Sequence, residues 1–187
     1  MATDTGTSAR PAASHGRLGY SEYCRIPADA HRHEIIDGKH VVTPAPSTLH
    51  QTVSKRLLHE LYTQLELTGH AVVLTAPVDV QLSPHDIVQP DLVVIVKERE
   101  GIITKAKIAG VPDMIIEILS PANRAHDTQV KLRTYERTGV GEYWMADPEA
   151  KTLLRHRLID GAYRQEPPAD PVTAFNGSLS IRLADIW

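Results

Sequence analysis

Two carboxylates, Asp91 and Glu117, stand on neighbouring apolar runs, and a lysine, Lys131, follows on the next element. Pro90-Asp91 opens a strand candidate over 91–96, and Glu117 lies near the end of a second over 112–119. If these runs pair antiparallel, the residue opposite Asp91 follows from symmetry. The midpoint of 91 and 117 is 104, which falls inside the intervening segment. The two side chains would then face each other with Cβ atoms about 5 Å apart. Carboxylates this close repel unless a proton or cation intervenes. A hard divalent ion such as Mg²⁺ or Mn²⁺ suits such oxygen donors. Asp113, in the second Pro-Asp pair, shares a strand with Glu117 at about 13 Å by strand rise, so those two cannot chelate one ion. It reads as a strand-entry residue.

On a helix after Glu117, steps of three and four put Thr128, Lys131, Leu132, Tyr135 and Gly139 on one stripe. An inward-facing lysine needs a negative partner, because a lone buried ammonium destabilises the fold or loses its proton. The Asp91/Glu117 pair, or a phosphate held there, would supply it. Asp127, four residues before Lys131, is accounted for by a helix-stabilising ion pair near a helix N-terminus and is placed outside the site. Tyr135, Tyr143 and Trp144 read as core or rim aromatics. His31-x-His33 alone is weak ground for a transition metal. Gly-rich phosphate loop, G-x-S-x-G elbow and Cys/His zinc spacing are all absent, which argues against NTPases, serine hydrolases and zinc fingers.

The elements that must position these residues are legible in outline. Asp37-Gly38 between two β-prone runs signals a hairpin. Ser47 or Thr48 can cap a helix whose apolar face is Val53, Leu57, Leu61 and Leu65, with Gly69 as its stop. His50 shares that face and reads as a packed, hydrogen-bonded histidine. Strands follow over 71–74 and 78–82, with 98–110 as a charged loop. Asn123 can cap a second helix ending near Gly139. A strand over 142–146, a hairpin about Asp160-Gly161 and a short strand from Leu179 complete the pattern. Grouped strands with two substantial helices imply one mixed α/β (α+β) domain.

The 187 residues carry 20 Lys plus Arg against 23 Asp plus Glu, so no global basic excess advertises a polyanion partner and any such site must be local. The single cysteine, Cys24, excludes an internal disulfide or a Cys-rich zinc site. No apolar run is long enough to span a bilayer, and no signal-peptide core is present, so a cytoplasmic protein is expected. Residues 1–19, built largely from Ala, Ser, Thr, Gly and Pro, read as a disordered tail before a domain over 20–187.

The segments V-Q-P-D-L-V-V (88–94), I-I-E-I-L-S-P (115–121), D-x-x-x-K-x-x-x-Y (127–135) and G-V-G-E-Y-W-M-A-D-P (139–148) occur in an order and spacing that is similar to the Uma-type putative restriction endonuclease domain family, a branch of the PD-(D/E)XK nuclease superfamily. The similarity extends upstream to E-I-I-D-G (34–38) and T-P-A-P-S-x-L-H-Q (43–51). It implies a restriction-endonuclease-like core, a mixed β-sheet flanked by helices, and a metal-dependent endonuclease that hydrolyses phosphodiester bonds, in DNA, with a metal-activated water. By position, Asp91 and Glu117 are the implied metal carboxylates, and the carbonyl of Ile118 a further ligand to Mg²⁺ or Mn²⁺. Leu119 stands where the simple motif has lysine, so Lys131 is the implied migrated catalytic lysine, orienting the water or offsetting charge on phosphorus. Glu34 and His50 match positions that could hold a water or ligand behind the metal. The resemblance also allows a homodimer.

Basic residues at 97, 99, 105 and 107, and at 124, 133 and 137, are candidate phosphate contacts. Two other classes compete. A catalytically inactive nuclease-like module that binds nucleic acid or protein has no use for a metal at Asp91 and Glu117. A hydrolase of another phosphoester, such as a nucleotide, needs no extended basic groove.

Overall fold

Asp37-Gly38 takes the left-handed backbone of a tight hairpin, with φ of 52° and 73°, joining β1 (Arg32–Ile36) to β2 (Lys39–Thr43) in the computed structural model. The structure describes residues 16–27, 29, 31–121 and 124–187. The expected tail falls outside them up to residue 15. Its end does not: the Leu18 amide donates to Gly38 O, and Leu18 O accepts from His85 Nδ1, both at 2.9 Å. A one-turn helix, α1 (Tyr20–Tyr23), follows.

Ser47 caps α2 (Thr48–Leu61), its hydroxyl accepting from the His50 amide at 3.2 Å. The helix runs on through a π-helical turn at Tyr62–Glu66 and stops at Gly69, φ 77°. Val53, Leu57, Leu61 and Leu65 are fully buried. At about 1.5–3 kcal/mol for each buried aliphatic side chain, this stripe rather than helix propensity fixes α2 in place.

It packs on a six-stranded sheet made of β3 (Ala71–Thr75), β6 (Leu92–Val96), β8 (Met114–Ile118), β9 (Glu142–Asp147), β10 (Thr152–Ile159) and β11 (Ala162–Gln165). The order is β11-β10-β9-β8-β6-β3, and β8–β9 is its parallel pair. A second sheet, ordered β2-β1-β5-β4-β7, adds β4 (Val80–Ser83), β5 (Asp86–Val88) and β7 (Ile108–Ala109). A parallel pair needs a crossover. Here it is a π-helical segment, His126–Lys131, running into α3 (Leu132–Thr138), which stops at Gly139 with φ 89°. The crossover carries Lys131 and Tyr135 back over the sheet. β12 (Val172–Ala174), β13 (Leu179–Ile181) and α4 (Leu183–Ile186) close the chain.

Both faces of the large sheet are covered. Leu92, Val94, Ile116 and Trp144 pack with α2, whereas Val93, Ile95, Ile115, Tyr143 and Met145 pack with α3 and the second sheet. Burial on both faces is why these strands read as unbroken apolar runs. The mixed sheet flanked by helices is the expected architecture. Among the described residues no helix is long and apolar enough to cross a membrane.

Asn123, the expected cap of the second helix, lies outside the described residues. β5 and β12, three residues each, were not expected, being too short to show a period. The 98–110 segment is not a plain loop: Lys97–Ile102 forms a 3-10 helix and Ile108 joins β7. It also lies away from Asp91, at the other end of β6, about 20 Å along the strand. Of the basic residues here, Lys97 pairs with Glu100, Arg99 with Asp113, and Lys107 with Gln81 and the Tyr20 ring, whereas Lys105 has no partner among the described residues. Arg124 likewise pairs with Asp147 at 2.6 Å, and Arg137 grips buried Asp86 through two bonds at 2.9 and 2.6 Å.

Candidate active site

The β6–β8 ladder pairs Leu92 with Ile116, Val93 with Ile115 and Val94 with Met114. Its register continues to Asp91 opposite Glu117, the pairing that symmetry about 104 predicts. Asp91 Oδ2 accepts from the Ile118 amide at 2.9 Å, tying the two strand ends together. Alternation puts Asp91 on the face of Val93 and Glu117 on the face of Ile115, both toward α3 and the second sheet.

Above them α3 and its π-helical entry deliver Lys131, whose Nζ donates to Glu117 Oε1 at 2.8 Å and lies 3.1 Å from Glu34 Oε1. A π-helical turn inside a helix shifts the positions after it and recurs at functional sites. Burial works against the Lys131 charge, but Glu117, Glu34 and Asp127 hold it protonated well above its ordinary range. Tyr135, on the same stripe, is a core aromatic as expected and also donates to Glu117 Oε1 at 2.8 Å. Tyr143 and Trp144 are core residues.

β1 brings Arg32 and Glu34, two residues apart, to one side of its strand. Arg32 Nη1 donates to Asp91 Oδ1 at 2.9 Å and to Gln89 O at 3.1 Å. Glu34 also accepts from the Gln89 amide at 2.8 Å. His50, from the first turn of α2, donates through Nε2 to Asp91 Oδ2 at 3.0 Å. Burial pushes the Asp91 carboxyl up, yet the His50 and Ile118 hydrogen bonds and the Arg32 charge hold it down at about 2.

Asp127 forms the expected i, i+4 pair with Lys131, but it lies within this cluster rather than outside it. It is 5% exposed and 3.9 Å from Lys131. Burial pushes its carboxyl up to about 8. Burial also raises Glu117, with Lys131 opposing the shift. The places of Arg32, Tyr135 and Asp127 in the site are thus what sequence reasoning missed. The D-x-x-x-K-x-x-x-Y spacing held a signal for the last two.

Asp91, Glu117, Ile118, Asp127 and Lys131 line one cavity of about 230 Å³, together with residues 43–47. Four buried acids, Glu34, Asp91, Glu117 and Asp127, face two cations, Arg32 and Lys131. The excess of two negative charges is the complement of a divalent ion, and it adds to the burial that raises the Glu117 and Asp127 carboxyls. Glu34 Oε2 and His50 Nδ1 are buried with no hydrogen-bond partner among the described residues. Among those residues, no three Asp, Glu, His or Cys side chains form a ready-made cage. Asp91 and Glu117, oxygen donors at adjacent strand ends, are a set that suits an ion taking one or two carboxylates and keeping several waters, as Mg²⁺ does.

A family model described as Uma2, putative restriction endonuclease, matches residues 20–184. A crystal structure described as a putative nuclease belonging to DUF820 from Anabaena variabilis ATCC 29413 is similar with a TM-score of 0.74 and 22% identity, over 90% of this chain and 97% of that one. No curated protein gives a significant match.

Proposed function

We propose that this chain, which belongs to the Uma2 putative restriction endonuclease family, is a Mg²⁺- or Mn²⁺-dependent phosphodiesterase acting on nucleic acid, DNA first. The observation that carries the reading is the Asp91/Glu117 pair at one end of the β6–β8 ladder, in a buried cluster with two acids in excess. Asp91, Glu117 and the Ile118 carbonyl would hold the ion. When bound, it would supply a Lewis acid that neutralises a phosphoryl oxygen and lowers the pKa of water.

The protein's own groups do the rest. Lys131, pinned between Glu117 and Glu34, presents a fixed ammonium that orients the attacking water or offsets charge on the phosphoryl oxygens. Tyr135 shares Glu117 Oε1 with Lys131 and so sets which carboxylate oxygen stays open. His50 and Arg32 fix the Asp91 rotamer. The buried walls keep bulk water from screening these charges.

A second reading is a metal-free binding module. It is favoured by Asp91 already accepting three hydrogen bonds. A carboxylate has about four acceptor positions, so one remains.

The test is cleavage of supercoiled plasmid and short oligonucleotides by purified protein with Mg²⁺ or Mn²⁺. Nicking or cutting that EDTA abolishes is the expected result. A folded protein that cuts none of these and hydrolyses no small phosphodiester with either metal contradicts the reading.

A further inference from the structure

A second cavity, of about 390 Å³, adjoins the first across a shared wall that includes Arg32, Pro44, Pro46, His50 and Asp91. We propose that it is a subsite for the base and sugar flanking the scissile phosphate, so that the substrate is an unpaired nucleic-acid strand. This rests on the phosphodiesterase reading above.

Three observations carry it. The first is access. Asp91 and Glu117 are 3% and 2% exposed in a cavity that residues 43–47 also line. In a duplex the bases are paired and stacked, so placing one in a cavity costs unpairing energy. An unpaired strand can splay a base into such a cavity without that cost.

The second is charge. Binding a duplex through its backbone needs many cations on phosphates, yet of the candidate contacts Arg99, Arg124 and Arg137 are already paired with acids, and the net charge is −3. That leaves Lys105 and Arg133 as scattered cations rather than an extended basic groove, so the two chambers are the better-built recognition surface.

The third is the wall itself. Arg32 spends Nη1 on Asp91 and Gln89, while its Nε and Nη2 take no partner among the described residues. Its side chain is 21% exposed, so it can hold a phosphate between the two chambers. The chamber of about 230 Å³ suits an ion, water and a phosphoryl group. The larger one is within the range of about 300–1,000 Å³ that small-molecule sites occupy. Pro44, Pro46 and Pro77 offer it flat apolar faces, and Gln51, Ser54 and His31 offer hydrogen-bonding edges.

The experiment is fluorescence anisotropy in Ca²⁺ with labelled single-stranded DNA, single-stranded RNA and blunt duplex DNA, for wild type and Gln51→Trp. Gln51 is exposed on α2, so the indole fills the chamber mouth without entering the core, and a thermal melt confirms folding. Wild type is expected to bind a single strand at least tenfold tighter than duplex, and Gln51→Trp to lose at least tenfold. The DNA and RNA arms assign the sugar. Duplex affinity equal to or above that of both strands, or an unchanged Gln51→Trp, overturns the subsite. Hydrolysis of bis(p-nitrophenyl) phosphate by wild type with Mn²⁺ reads the catalytic proposal separately. Strand preference with neither that hydrolysis nor cleavage of plasmid or oligonucleotide in Mg²⁺ or Mn²⁺ supports the strand-binding cavity and overturns the phosphodiesterase.

Discussion

Glu117→Gln is expected to abolish metal-dependent phosphodiester cleavage, by at least about a thousandfold, and to leave the protein folded. Glutamine keeps the carbonyl oxygen that accepts from Lys131 and Tyr135, so the local packing survives. It removes the negative charge on which a divalent ion depends. Metal stabilisation of a phosphoryl transition state is worth several kcal/mol, and about 4 kcal/mol is a thousandfold in rate. Metal-free stability is expected to stay level or rise, because the variant removes a charge that burial, and then Asp91 and Glu34, disfavour at Glu117. Steady-state cleavage and a thermal melt in EDTA check both halves. A variant that cuts like wild type removes Glu117 from the site.

Lys131→Met is expected to lose both activity and stability. Lys131 is 2% exposed and neutralises Glu117 and Glu34 at 2.8 and 3.1 Å. Removing one partner of a buried ion pair costs about 3–5 kcal/mol, because the remaining charge is left uncompensated. For a chain of this size that is a drop of roughly 6–20 °C in melting temperature. Activity should fall by about 10²–10³ through the lost electrostatic contribution. Added Mn²⁺ should recover part of the melting temperature, since bound cation replaces positive charge in the cluster. Lys131→Arg is expected to rescue stability poorly, because a planar guanidinium does not fit a point-charge position between two carboxylates. Melting curves of the two variants with and without Mn²⁺ check the stability half. A Lys131→Met protein that melts where wild type does would place the lysine in solvent.

The frame of the site was legible because its causes are local or symmetric. Asp37-Gly38 and Asp160-Gly161 supply the positive φ angles that hairpins need, and Ser47 supplies a cap. Antiparallel pairing about residue 104 is set by two apolar runs alone, so the Asp91–Glu117 register follows from counting.

What was hidden depends on contacts between distant segments. Arg32 reaches Asp91 because β1 pairs with β5 in a second sheet, and nothing in residues 31–36 signals that. Asp127 reads as half of a helix-stabilising ion pair outside the site, since i, i+4 spacing is the same whether a helix face meets water or a cavity. His50 was legible as a packed, hydrogen-bonded side chain, but its partner, Asp91, lies 41 residues away.

The most direct test of the central claim is a calorimetric titration of Mn²⁺ into the wild-type protein, with Glu117→Gln and Asp91→Asn alongside. Saturable binding of Mn²⁺ by wild type, weakened or lost in both variants, is the predicted result. A folded wild type that takes up no Mn²⁺, or variants that bind it as wild type does, would contradict the assignment of this cluster as a metal centre.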